Sequence, residues 1–432
     1  DLYEFLARHY YPGDKIYLFG FSRGAATIRA FNGFVYTCGL IDGRGSGFHE
    51  LQVDIKCAMK AYRKPKRKDI ILSKLKLKRH KGKITITAIG VWDTVAALGL
   101  PHKIVWPISL IFKSLNFIFD KTLFPYRFYN YELTPNVERA YQAIAINDER
   151  KSFWPKVWKE NTEAAQQVNT IDQVWFAGMH SNVGGGYERA GLAYICLHWM
   201  MTKVSELKFK DDVKEEVFAD ADASGRMYNS RNGHAVFFRY DPRNVTDMCK
   251  EAGLEAKVHE SVIDRLKTRI ANYAPTLLPQ RFKIVNDLGN STDSPKVHEE
   301  DWNIFHKQML RWIGIRKLLY GALITLSLGI ASAIFIFKKD ENFYDKADDP
   351  LHIETLDFLT PDLSDGFIRT AFADHPYYGI GLAFLCIAYY LARGGAKKKT
   401  IKIAEKLRKL ILIAPDPYPS KKGEEAASDS KE

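Results

Sequence analysis

One short turn constrains this chain of 432 residues more than any other feature. Residues 16–19 (IYLF) are an apolar run of the kind found in buried parallel strands, and a helical stretch follows from Gly24 to about Tyr36. Between them lies Gly20-Phe21-Ser22-Arg23-Gly24, the pattern G-x-S-x-G. Strand, sharp turn and helix in that order demand a layered α/β fold. The serine must occupy a strained bend that lifts its Oγ above the sheet, and small residues two positions either side let strand and helix approach closely. The backbone N–H of Arg23, at the start of the helix, is positioned to donate to a developing oxyanion.

Residues 84–91 (ITITAIGV), 140–146 (AYQAIAI) and 172–178 (DQVWFAG) are three more strand candidates, separated by helical or loop material. Strands alternating with longer connections predict a mostly parallel sheet, with chemical groups gathered where the strands end. A serine is inert without a base. Among 12 histidines, His180 is the best placed, because WFAGMHSNVGGGY sets it just past a strand and ahead of a flexible glycine run. The glycines could suggest a phosphate cradle, but no lysine-serine pair follows them.

A carboxylate must then hold the imidazole tautomer. Asp93 in GVWDTV and Asp148 in AINDER each stand two residues beyond a strand. Neutral neighbours favour Asp93 as a buried acid, whereas Arg150 could tie up Asp148 in a structural pair. Asp93 is the preferred acid and Asp148 the alternative. No ligand spacing calls for a metal, and no cofactor is expected.

Farther along, residues 318–337 (LLYGALITLSLGIASAIFIF) are 20 consecutive uncharged positions. At about 1.5 Å per residue they reach roughly 30 Å, the thickness of a hydrocarbon core. Residues 376–392 (PYYGIGLAFLCIAYYLA) form a second, shorter candidate with tyrosines at both ends. Ten acids against four Lys or Arg lie between the two, and a lysine-rich stretch follows the second. The expectation is a two-helix transmembrane hairpin, with the N-terminal domain and the tail cytoplasmic and the acidic loop outside.

The formal charge is +12, from 63 Lys and Arg against 51 Asp and Glu, and it is concentrated. Residues 59–83 hold twelve Lys or Arg against the single acid Asp69. Both this segment, from Lys60 to Lys83, and the one from Lys397 to Lys409 are expected to meet an anionic bilayer. In the second, Ile403, Leu407, Leu410 and Ile411 recur at helical spacing beside the lysines, as in a helix lying on a membrane surface. Nucleic acid is the less favoured partner for the first segment. Five cysteines without a C-x-x-C pair exclude a disulfide scaffold and a zinc ribbon.

In order along the chain, GFSRGAA, GVWDTVAALG, AIAINDERKSFWPKVW and WFAGMHSNVGGGY resemble the DUF2235 α/β hydrolases. That family includes the catalytic domain of Tle1-like phospholipase effectors of the type VI secretion system. FFRYDPRNV and VHESVIDRLKTRIANYAPTLLPQRF extend the likeness to about residue 287. The resemblance implies a serine hydrolase of ester bonds, with phospholipids as the substrate class, Ser22 as nucleophile, His180 as base and Asp93 or Asp148 as acid. Nothing here matches the family's opening strand and D-G-T-type loop, so the sheet is expected to be N-terminally incomplete. Asn182 stands where the family has an aspartate.

The expected organisation is an α/β hydrolase domain over residues 1–290, a linker over 291–317, transmembrane helices over 318–337 and 376–392, an acidic loop over 338–375, and a basic amphipathic segment with a disordered tail over 393–432. The expected activity is serine-dependent hydrolysis of lipid esters at a membrane. The alternative is a hydrolase fold kept without catalysis as a membrane tether or binding module.

Overall fold

The computed structural model describes residues 1–95, 131–232, 235, 238–268, 273, 275, 277–337 and 376–413. Seven strands among these residues form one sheet: β1 (Tyr17–Phe21), β2 (Ile86–Trp92), β3 (Val137–Ala145), β4 (Thr170–Phe176), β5 (Lys257–His259), β6 (Lys283–Val285) and β7 (Ser291–Asp293). Their order in space follows their order in sequence. Neighbours from β1 to β6 pair in parallel, and β7 returns antiparallel beside β6. The mostly parallel α/β sheet is therefore present, and its first four strands lie within a few residues of the apolar runs that predict them.

Central parallel strands are covered on both faces, which is why they read as continuous apolar runs. In β3 every residue from Ala140 to Ala145 is buried, including Gln142. On one side α1 (Leu2–His9), α2 (Arg23–Cys38), α3 (Phe48–Arg63) and α4 (Lys68–Leu72) contribute Tyr3, Ala25, Ile28, Phe34, Leu51 and Leu72 to a core with Ile86 and Ile89. Next along the chain come α5 (Glu163–Gln166), α6 (His180–Gly184), α7 (Gly191–Lys203), α8 (Asp211–Asp220), α9 (Val245–Ala252) and α10 (Glu260–Lys267). A second core lies under α7, where Cys196, Trp199 and Met200 pack on Ala88, Tyr141 and Phe176.

The basic segment from Lys60 to Lys83 is folded rather than a plain loop. Leu72 is buried, Ile71, Leu75 and Leu77 pack beside it, and buried Asp54 accepts hydrogen bonds from the backbone N–H groups of Lys76 and Leu77.

The transmembrane hairpin is not found. Its two stretches belong to α11 (Glu299–Phe337) and α12 (Pro376–Ile413), helices of 39 and 38 residues. No helix among the described residues is long and apolar enough to cross a membrane. This overturns the expected spans and, with them, the multi-pass membrane location. The physical reason lies outside the two stretches, in the halves of the helices that anchor them to the domain. Trp302, Phe305, Met309 and Ile313 of α11 and Ile403, Ala404 and Ile411 of α12 are buried in the core around Trp175, Val258 and Ile284. Each large apolar side chain so buried contributes about 1.5–3 kcal/mol.

The helices also pack on each other, antiparallel: Phe305 and Gln308 share a cleft with Lys406 and Lys409, while Arg316 lies near Tyr389. Ile403 and Ile411, the apolar members of the expected surface helix, thus face the protein core, whereas Lys397, Lys398 and Lys399 are exposed. The expected acidic loop over 338–375 and the tail beyond residue 413 lie outside the described residues.

Candidate active site

The bend at Ser22 joins β1 to α2 with φ 58° and ψ −122°, a region that a non-glycine residue occupies only when its surroundings force it. Two kinds of contact hold it. The Ser22 backbone N–H donates to the Trp92 carbonyl (3.0 Å), and the Ser22 carbonyl accepts from the N–H groups of Ala26 and Val95 (both 3.2 Å). Gly20 makes the bend possible, since a Cβ there would lie 2.8 Å from the Ala25 nitrogen. Gly24 plays no such part, because a Cβ there would meet nothing within 4 Å. Arg23 opens α2, and its backbone N–H donates to no described residue.

His180 opens α6, four residues beyond β4. Its Nε2 lies 2.7 Å from Ser22 Oγ, and its Nδ1 lies 2.5 Å from Asp93 Oδ2. The structure therefore lines up Ser22, His180 and Asp93 in one hydrogen-bonded row, from the ends of β1, β4 and β2. The imidazole is 4% exposed, with the Phe21 ring 4.6 Å away on one side and the edge of Phe153 at 5.1 Å. Ser22 itself is only partly buried, so its hydroxyl stays within reach of a substrate.

Asp93 is fully buried and also takes a positive φ, 43°. Its Oδ1 accepts from the Ala145 N–H (3.0 Å), and Arg243 grips both oxygens, Nη1 to Oδ1 at 2.6 Å and Nη2 to Oδ2 at 2.7 Å. Burial pushes the Asp93 carboxyl up, but the Arg243 charge, with hydrogen bonds from His180 and Arg243, outweighs it and holds the group well below the usual carboxylate range. The acid therefore stays ionised beside the imidazole.

Asp148 is held elsewhere. It accepts from the Arg150 N–H (2.9 Å), Nε (3.1 Å) and Nη2 (2.7 Å), and reaches only the backbone N–H of His180, at 3.3 Å. It steadies the peptide carrying His180 and does not touch the ring. Asn182 accepts from the N–H groups of Met179 (3.4 Å) and Tyr228 (3.3 Å) and donates to the Arg226 carbonyl (3.1 Å). An amide serves both directions there, which a carboxylate could not.

Arg243 escaped the sequence reading. Its position in FFRYDPRNV was visible only as part of the family likeness, because nothing local links residue 243 to residue 93. Outside this row, His259, Glu260 and Asp287 are the group among the described residues whose donor atoms converge closely enough to hold a metal ion.

No curated protein and no solved structure matches the chain. A family model does match, over just under half of its length. Residues 1–203, which carry Ser22, Asp93 and His180, match the family described as T6SS, phospholipase effector Tle1-like, catalytic domain, the family that the ordered motifs resemble.

Proposed function

We propose that this protein is a serine hydrolase that cleaves acyl esters of phospholipids. The row from Ser22 Oγ through His180 to Asp93, at 2.7 and 2.5 Å, carries the reading. Ser22 Oγ attacks the ester carbonyl carbon while its proton passes to His180 Nε2. Asp93 accepts the Nδ1–H and stabilises the imidazolium. The Arg23 N–H donates to the tetrahedral oxyanion. On collapse the C–O bond breaks, and the leaving alcohol takes the proton from Nε2. Water then repeats the sequence on the acyl-serine, releasing the fatty acid and restoring Ser22. No metal enters these steps.

The lipid substrate class rests on the phospholipase effector family matched by residues 1–203. Exposed basic residues support contact with an anionic bilayer surface: Lys64, Lys66 and Arg67 just ahead of α4, and Lys397, Lys398 and Lys399 on α12. Near such a surface each basic residue is worth about 1 kcal/mol.

The test is hydrolysis of phospholipid vesicles by the full chain and by Ser22→Ala. A loss of at least about 10³-fold is expected, the scale seen when a triad nucleophile is removed. A fluorophosphonate probe should label the wild type at Ser22. An unlabelled, folded wild type would instead favour a binding module without catalysis.

A further inference from the structure

The carboxyl ends of β5 and β6 carry a second cluster, which the Ser22 row does not use. His259 ends β5, Glu260 opens α10, Asp287 follows β6 by two residues, and His198 projects from α7. His259 Nε2 lies 3.2 Å from Asp287 Oδ1, and His198 Nδ1 lies 2.9 Å from Asp287 Oδ2. One carboxylate thus links two imidazoles. One donor atom from each of His259, Glu260 and Asp287 lies within 4.8 Å of the others. The His259 ring is 2% exposed and stacks on Phe176 with centroids 4.6 Å apart, so its direction is held by packing.

Glu260 is the odd member. It is half-buried beside Asp287, yet it makes no hydrogen bond or ion pair with any described residue. Two carboxylates and an imidazole thus converge in a partly dry site, a donor set whose negative charge a dication would offset.

We propose that His259 Nε2, Asp287 and Glu260 bind a zinc-class transition dication, with His198 holding the outer oxygen of Asp287. Mixed imidazole and carboxylate donors suit zinc, whereas calcium and magnesium favour oxygen alone. Zinc bonds to nitrogen and oxygen of about 2.0–2.1 Å give tetrahedral edges of roughly 3.3 Å. The 3.2 Å between His259 Nε2 and Asp287 Oδ1 already meets that spacing. His259 Nδ1 faces the Ser261 hydroxyl at 2.9 Å and its backbone N–H at 3.3 Å. In the metal-free arrangement Nδ1 accepts from that N–H, the cap of α10; binding moves the ring proton from Nε2 to Nδ1, where it donates to Ser261 Oγ in place of the cap bond, and frees the Nε2 lone pair for the metal. The ion would tie β5, β6 and, through His198, α7 together, independently of whether Ser22 is a nucleophile.

Calorimetric titration of the chelator-treated full chain with zinc chloride tests this. Saturation at one zinc per chain is expected, with a rise in Tm, and neither calcium nor magnesium should displace it. Glu260→Gln, at a partly exposed position without a partner, leaves the fold intact by circular dichroism and weakens binding at least about tenfold; His198→Ala weakens it about tenfold, as losing an outer-shell partner does. Ser22→Ala binds zinc as the wild type does. The site is overturned if the wild type shows no saturable binding. It is also overturned if a folded Glu260→Gln/Asp287→Asn double variant keeps wild-type affinity, or if calcium binds as tightly as zinc.

Discussion

Replacing Arg243 by methionine keeps much of the side chain's length and bulk but removes the charge and both donors facing Asp93. The side chains of this pair are both 0% exposed. Removing one partner of a buried ion pair costs about 3–5 kcal/mol, because the other charge is left uncompensated. With a urea slope of about 2–3 kcal/mol per molar, the denaturation midpoint should fall by about 1–2 M. The pH dependence is more diagnostic. In the wild type, Asp93 is depressed on folding. Such a carboxyl contributes stability above its unfolded pKa of about 3.9, and that contribution is lost only as the pH falls through the folded value.

In Arg243→Met the upward push of burial prevails, and the sign reverses. The folded state then keeps a proton that the unfolded chain releases above about pH 4, so the variant loses stability as the pH rises through its raised folded value. Urea midpoints of both proteins between pH 4.5 and pH 8 should therefore diverge with rising pH. A gap that stays constant over this range, or one below about 1 kcal/mol, would refute the assignment of Arg243 as the counter-charge that keeps Asp93 ionised.

The two glycines of the bend should part company. Gly20→Ala drives a Cβ to 2.8 Å from backbone atoms of α2, and overpacking of this kind costs about 1–3 kcal/mol; a lower Tm and weaker fluorophosphonate labelling are expected. Gly24→Ala meets open space in the first turn of a helix, so its Tm should match or slightly exceed the wild type, with labelling unchanged. At residue 182, Asn182→Asp should not improve the protein, because the new carboxylate oxygen would face the Arg226 carbonyl in place of a donor. A loss of about 1–3 kcal/mol in urea is the expected outcome, and a more stable variant would count against this account of the turn.

The parts of the fold that could be read from the chain are those whose burial is written in consecutive residues. Strands β1 to β4 are apolar runs because helices cover both faces of the sheet, and the serine bend announces itself through its glycine and its flanking elements. Strands β5 to β7 have three residues each, too few for any periodicity, and exist because their neighbours offer a register. The choice between Asp93 and Asp148 shows the same divide. Arg150 stands two residues from Asp148 and grips it, so that pair was visible locally. The partner of Asp93 comes from 150 positions away, and the neutral neighbours that made Asp93 look like a buried acid could not reveal it.

The uncharged runs at 318–337 and 376–392 teach the converse lesson. An absence of charge over 20 residues describes only what a segment lacks, while its environment depends on what the rest of the helix is anchored to. Here each run continues a helix whose other half is fastened to the hydrolase-like domain, by Met309 and Ile313 on α11 and by Ile403 and Ile411 on α12. Arg316, between the anchored half and the uncharged run, is 4% exposed; both its Nη atoms lie 3.0 Å from the carboxylate oxygens of Glu149, and its guanidinium covers the Tyr240 ring at 3.9 Å. Drawing this helix out of the domain would strip that ion pair and leave Glu149 beside Asp148 without its counter-charge. Since Asp148 receives the His180 backbone N–H, the long helices bear on the loop that carries the catalytic candidate, and their place is set by that contact rather than by hydropathy alone.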